Sequence, residues 1–181
     1  IELFQVIKAR LGEKPIIAED LGYVTDTVRR MVKESGYPNM KVLEFAFDSR
    51  DSSGAGDYLP HNYTHNCVVY TGTHDNDTVM GWYDTLKGAD KKLCDDYLRL
   101  KNADGEPIPR EQLPWEFVRA AMSSVADLAI IPMQDYLGLG SEARINIPST
   151  LGINWKWRMG NGDFTKELAG RIRSMTKLYG R

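Results

Sequence analysis

Two carboxylates stand where acid/base chemistry would need them. Glu19 ends the apolar run PIIAE, and Asp75 ends NCVVYTGTHD. They are about two β/α units apart, so they fall on alternate strands of one sheet. In a barrel, alternate strands aim side chains into the same mouth. Two carboxylates facing one pocket are the working parts of glycoside chemistry, one protonated to donate to a leaving oxygen and the other ionised. An apolar strand end desolvates Glu19 and favours its protonated form, while THDND surrounds Asp75 with His74, Asn76 and backbone amides that favour its charge. The plainer reading is two structural carboxylates. Asp20, Asp48 and Asp135, also at strand ends, read equally as caps of the helices that follow, whereas glutamate is a poor N-cap.

The elements that position these residues alternate. IELFQVIKARLG reads as a helix stopped at Gly12, with Leu3, Phe4, Ile7 and Leu11 on one face. PIIAEDLG reads as a buried parallel strand, and TDTVRRMVKESG as a helix with Gly36 as its stop. VLEFAF (42–47) reads as a strand, followed by a polar loop over 48–66 of a length that is usually functional. Residues 66–75 form the next strand, with Asn76 or Asp77 capping a helix from Thr78. Residues 89–102 read as a polar helix, 103–112 as a surface loop, and Pro114 as the first turn of another helix. LAIIPM (128–133) is a fourth strand, 138–162 an irregular Gly/Asn/Trp-rich segment, and 164–179 a closing amphipathic helix. Four strands alternating with helices predict an α/β parallel sheet, either doubly wound or part of a (β/α)8 barrel. A complete barrel needs roughly 250 residues, and this chain has 181.

The composition excludes several classes. Lys plus Arg is 23 against 25 for Asp plus Glu, a net charge of −2 that offers no basic field for nucleic acid or anionic membrane. No apolar run approaches the roughly 20 residues that span a bilayer. Two cysteines, Cys67 and Cys94, are too few for a disulfide framework, and the expected setting is intracellular. The chain opens at Ile1 inside a segment that already reads as helix, so an N-terminal portion is expected to precede it.

The segments IIAEDLG, LEFAFD, LPHNYTHNCVVYTGTHDNDTVMGWYDTL and IPMQDYLGLGSEARINIPSTLGINWKWRM, in this order and spacing, resemble the amylomaltase or disproportionating-enzyme family of 4-α-glucanotransferases. YTGTHDNDT followed by SEARIN-P and NWKWR carries the specificity. The resemblance implies strands five to eight of an α-amylase-like (β/α)8 barrel, residues 1–181 being the C-terminal portion of a single catalytic domain with a helical or loop insertion over 87–113. It implies no metal and no organic cofactor. Glu19 resembles the general acid/base, and Asp75 the carboxylate that grips the donor sugar and favours ring distortion. His74 resembles the adjacent sugar-binding histidine. Asn76, Arg144 and Asn146 join it as substrate-binding candidates, the last two from the ARINIPST stretch beside the acceptor subsites, and His61 joins them from the long loop. Ile147 stands where the family more often has threonine or another small residue. The family's nucleophile, an aspartate ending strand four, has no counterpart here, and Asp51 in its loop is not a substitute. The implied partners are α-1,4-glucans, maltooligosaccharides and the missing N-terminal half of the same chain. The implied compartment is the cytoplasm, or the plastid stroma for a plant or algal source. An amylase-like hydrolase, a non-catalytic glucan-binding module and a Mg²⁺-dependent phosphoryl-transfer protein are the competing readings; no Gly-rich phosphate loop supports the last.

Overall fold

The computed structural model describes residues 2–22, 24–48 and 55–181. Asp51 and part of the 48–66 loop lie outside the described residues. Helix α1 spans Glu2–Leu11 and α2 spans Asp26–Ser35. Thr25 caps α2 by accepting from the Val28 N–H at 3.4 Å, and Gly36 ends it at φ 75°, a left-handed value that glycine adopts without strain.

Strand β1 covers Asn39–Val42, earlier than the expected strand, and Leu43–Phe47 coil into a 3-10 turn instead. The reason is burial on all sides. Leu43, Glu44, Ala46 and Phe47 are all buried, which an alternating strand with one open face cannot achieve. Strand β2 is Cys67–Tyr70 and leads to helix α3, Val79–Thr85. The cap of α3 is Thr78, whose hydroxyl accepts from the Gly81 N–H at 3.1 Å; Asp77 serves one step earlier, accepting from the Thr78 N–H at 2.8 Å. Helices α4 (Gly88–Leu98) and α5 (Leu113–Met122) follow, then β3 (Leu128–Ile130), α6 (Met133–Leu137) and α7 (Lys166–Leu178).

Among the described residues the sheet is parallel throughout, in the order β1-β2-β3, with Met40 opposite Val68 and Val68 opposite Leu128. The expected PIIAEDLG strand is reduced to one parallel bridge, Ala18 to Asn39, which places it beside β1. The order along the sheet is therefore the order along the chain.

One face of this sheet is covered. Cys67 and Val69 pack with Ala121 of α5, while Leu43, Phe47, Val79, Cys94, Leu98 and Phe117 form the largest cluster. The 87–113 stretch adds Leu100 and Leu113 to that cluster, so its apolar side chains belong to the main core. Leu168, Ile172 and Met175 of α7 pack against Trp115, Val118 and Met122. The other face is covered at its middle and open at its two sides. Val42, Leu43, Val68 and Val69 are buried as expected, but Ile17 and Ile130 are each 39% exposed and Leu128 47%. A parallel sheet is normally covered on both faces. The expectation that Ile17 and Ile130 lie in the core fails because they belong to the two lateral segments and nothing packs over them.

Phe117 is fully buried and its ring meets those of Phe47, Trp82 and Tyr83 at 5.8–6.4 Å. Phe117→Ala is expected to cost about 3–5 kcal/mol of unfolding free energy. Leu151→Ala, at a residue 98% exposed, should stay within about 0.5 kcal/mol. Urea titrations of the two variants, compared by midpoint at equal slope, check this.

Candidate active site

The C-terminal ends of the strands gather most of the residues singled out by sequence. Glu19 and His74 line one open cavity of about 530 Å³, together with Ile17, Met40, Tyr70 and Ile130 from the partly open face. Glu19 is close enough to Tyr70 for its charge to help raise the phenol's pKa, after burial as the leading cause. Glu19 itself is exposed. The desolvation expected from an apolar strand end is therefore not supplied within this chain, because Glu19 follows a single bridge at the sheet's edge.

Asp75 and its neighbours form a compact hydrogen-bonded group. Asp75 Oδ1 lies 3.3 Å from His74 Nε2 and accepts from the Asn146 side-chain amide at 2.6 Å. Arg144 donates to the Asp75 carbonyl at 2.7 Å and to the Asn146 carbonyl at 2.9 Å. The Asn146 N–H donates to the His74 carbonyl at 3.1 Å. The segment that supplies Arg144 and Asn146 is thus latched to the strand-end turn that supplies His74 and Asp75. Trp155 closes one side, its ring 5.1 Å from the imidazole and its N–H donating to the Ile145 carbonyl at 2.7 Å. Its φ of 64° is a left-handed value uncommon for a bulky residue.

Asn76 faces inward rather than toward ligand. Its side-chain oxygen accepts from the Thr73 N–H at 2.9 Å and the Thr73 hydroxyl at 2.7 Å, and that hydroxyl accepts from the Asp75 N–H at 3.2 Å. Asn76 therefore shapes the turn. His61 is not brought to the group. It lies in the 3-10 turn Pro60–Asn62, on the way into the N-terminal end of β2, with its Nδ1 2.9 Å from the Tyr97 hydroxyl. Tyr63 is buried nearby and donates to the Tyr58 carbonyl at 2.6 Å, which is a structural role.

Two buried carboxyls support the turn from below. Asp135 accepts from the Thr71 hydroxyl at 2.5 Å and from the Val79 N–H at 2.9 Å, and burial pushes its carboxyl up to about 6. Of the strand-end carboxylates read as caps, it does reach a helix N-terminus, but that of α3 and not of the helix it belongs to. Asp20 instead binds across to β1, accepting from the Asn39 side chain and the Met40 N–H, each at 3.0 Å. Glu44 is the group that sequence reasoning passed over. It is 4% exposed and lies inside the apolar run VLEFAF, where its only signal is a charged residue in an otherwise apolar stretch. Among the described residues no group of three or more His, Cys, Asp or Glu is arranged to hold a metal ion.

The 4-alpha-glucanotransferase family model (Glyco_hydro_77) matches residues 1–163. The 4-alpha-glucanotransferase of Clostridium butyricum is 48% identical over 100% of this chain and 35% of its own length. That of Arabidopsis thaliana, described as chloroplastic/amyloplastic, is 45% identical over 99% of this chain and 30% of its own. An amylomaltase from Streptococcus agalactiae, solved in complex with acarbose, superposes with a TM-score of 0.85 at 38% identity, covering 99% of this chain and 34% of that one. The chain spans about a third of the length of the curated relatives it matches. A match over nearly the whole chain in both sequence and fold makes it a member of the 4-alpha-glucanotransferase family.

Proposed function

We propose that the chain works as part of a retaining 4-α-glucanotransferase, a hexosyltransferase that moves α-1,4-glucan segments between maltooligosaccharides. The observation that carries this reading is the shared cavity: Glu19 and His74 line it, and Asp75 is held against His74 by Asn146. In this reading the strands are strands five to eight of a (β/α)8 barrel. Residues 1–181 are the C-terminal portion of a single catalytic domain, and 87–113 an insertion within it. Two features of the fold support that assignment. Strands laid side by side in chain order suit a barrel, whereas a doubly wound sheet reverses its order. The partly open apolar face and the lateral segments at Ile17 and Ile130 suit a barrel interior completed by further strands.

Glu19 protonates the leaving glycosidic oxygen while a nucleophilic aspartate, carried by an N-terminal half beyond these 181 residues, attacks the anomeric carbon. A covalent glycosyl-enzyme forms, and Glu19 then deprotonates the 4-hydroxyl of an acceptor glucan. Asp75, His74, Asn146 and Arg144 hold the donor sugar and the acceptor-side segment, while Asn76 sets the turn. Transfer prevails over hydrolysis when the acceptor sites hold sugar and exclude water. Docking of the completing strands at the open sides of that face supplies the desolvation that Glu19 lacks here. The compartment in this reading is the cytoplasm or, as the Arabidopsis relative's description offers, a plastid. No helix among the described residues is long and apolar enough to cross a membrane.

The complete enzyme is expected to convert maltotriose to longer oligomers plus glucose, whereas a hydrolase would give glucose and maltose alone. Glu19→Gln in that enzyme should lower kcat by about 10²–10⁴-fold, the usual worth of a positioned general acid. Near-normal redistribution by this variant, followed by chromatography, assigns the acid to another residue. The purified 181-residue chain should redistribute no maltotriose, because nothing in it can form the covalent intermediate. Clear turnover by the chain alone would falsify the placement of the nucleophile outside it.

A further inference from the structure

Glu44 is a carboxyl in a place where an apolar residue would be easier to bury. It sits just past the end of β1, and its N–H donates to the Thr71 carbonyl at 3.2 Å, joining the 3-10 turn to the end of β2. Its side chain lies directly under the turn that carries His74 and Asp75. A Cβ at Gly72 would come within 2.7 Å of Glu44 Oε1 and 3.3 Å of Asn76 Cβ, so glycine is required there for close approach. Among the described residues Oε1 is buried with no hydrogen-bond partner, a costly state for a polar atom. From Glu44 a chain of contacts leads outward. The Glu44 carboxyl lies against Gly72, Gly72 leads into Thr73, Thr73 donates twice to the Asn76 side-chain oxygen, and the Thr73 hydroxyl accepts from the Asp75 N–H.

We propose that Glu44 is a positioning residue that braces the Thr71–Asp77 turn from below, fixing through Gly72 and Thr73 where His74 and Asp75 stand. The proposal deepens the transferase reading and rests on it for the roles of His74 and Asp75. Around Glu44 stand Asp135 from α6, Asp77 from the turn itself, and Arg144 from the segment after α6, along with the uncharged Asn76. Burial first, then the Asp135 and Asp77 carboxylates, hold its carboxyl well above the ordinary range, while Arg144 and Asn76 act in the opposite sense. With the pKa raised, the brace is intact at low pH and is lost as pH rises through that value. Ionisation then adds a third negative charge beside Asp135 and Asp77 and pushes on Gly72 and Asn76.

The test uses the complete enzyme with Glu44→Leu, Glu44→Gln, Gly72→Ala and, as a separate control, Asp75→Asn. Glu44→Leu is expected to lower kcat for maltotriose by about 10- to 100-fold, the scale of a small misplacement of reacting groups, with a smaller change in KM. Glu44→Gln, which keeps the shape of the carboxyl without its charge, should recover most of that loss. It should also flatten the alkaline fall of kcat that the brace predicts for the parent. Independently of activity, the NMR signals of the His74 imidazole should move in Glu44→Leu and Gly72→Ala and stay put in Leu151→Ala. If Glu44→Leu does not fold, Gly72→Ala and the Glu44→Gln pH profile carry the comparison. An unshifted His74 signal, or a Glu44→Gln profile with the parent's alkaline fall, overturns the brace. An active Asp75→Asn with a shifted His74 signal overturns the transferase roles while leaving the brace standing.

Discussion

A single buried carboxylate holds the end of this sheet together. Asp135, at the start of α6 after β3, reaches across β2 to take the Thr71 hydroxyl with one oxygen and the Val79 N–H at the start of α3 with the other. The end of β2 and the start of α3 are thereby fixed to one residue far along the chain. The arrangement works only because each partner is a donor. An ionised carboxylate needs hydrogen bonds to be tolerated when buried. Its neighbours offer two, and burial still leaves the carboxyl raised to about 6. The turn from Thr71 to Asp77 is consequently anchored at its base by Asp135, on its underside by Glu44, and along its outer edge by Arg144 and Asn146.

The outer chemistry was more legible in the sequence than its support. Glu19, His74 and Asp75 follow apolar runs, so their polarity at strand ends is visible as contrast, and the spacing places Glu19 and Asp75 on alternate strands. The helices were legible from their apolar spacing and stops such as Gly36, but not their caps: Thr25, Thr78 and Thr165 each accept from a backbone N–H three residues on, where the α3 cap was expected at Asn76 or Asp77. Glu44 contrasts with the apolar residues around it, but from inside a run and not at a strand end. Inside VLEFAF it reads as the outward member of a half-buried strand, and only the coiling of Leu43–Phe47 turns it inward. That coiling depends on packing against α4 and α5, which are far along the chain. His61 failed for the opposite reason. It is a polar, ring-bearing residue in a long loop, and nothing local distinguishes the loop that enters the bottom of a strand from one that leaves its top.

The lateral segments show a different limit. PIIAEDLG has the composition of a buried strand, yet in this chain it makes one bridge and leaves Ile17 exposed. LAIIPM keeps its strand but leaves Leu128 and Ile130 open. Both runs carry side chains suited to burial on two faces, and only one face is met here. Composition reports the environment that a segment is built for, while pairing reports the neighbours present. The relatives are about three times longer than this chain. The mismatch between composition and exposure at Ile17, Leu128 and Ile130 lies where the proposed further strands would pack, and α1, with Leu3, Val6 and Leu11 all exposed, shares it.

The same economy governs the Asp75 carboxylate. His74 Nε2 and the Asn146 amide both fall on Asp75 Oδ1, and the side chain is half exposed. Two contacts on one oxygen orient the group without consuming it, because Oδ2 can take a sugar hydroxyl while both remain in place. A carboxylate that had to release its neighbours before binding would pass the loss of those hydrogen bonds on to substrate affinity. Here the neighbours are themselves tied down, Asn146 by its N–H to the His74 carbonyl and Arg144 by its grip on the Asp75 and Asn146 carbonyls. The turn and the 144–146 segment are therefore held as one unit, and the second oxygen of Asp75 is the point at which the proposed transferase reading engages the donor ring.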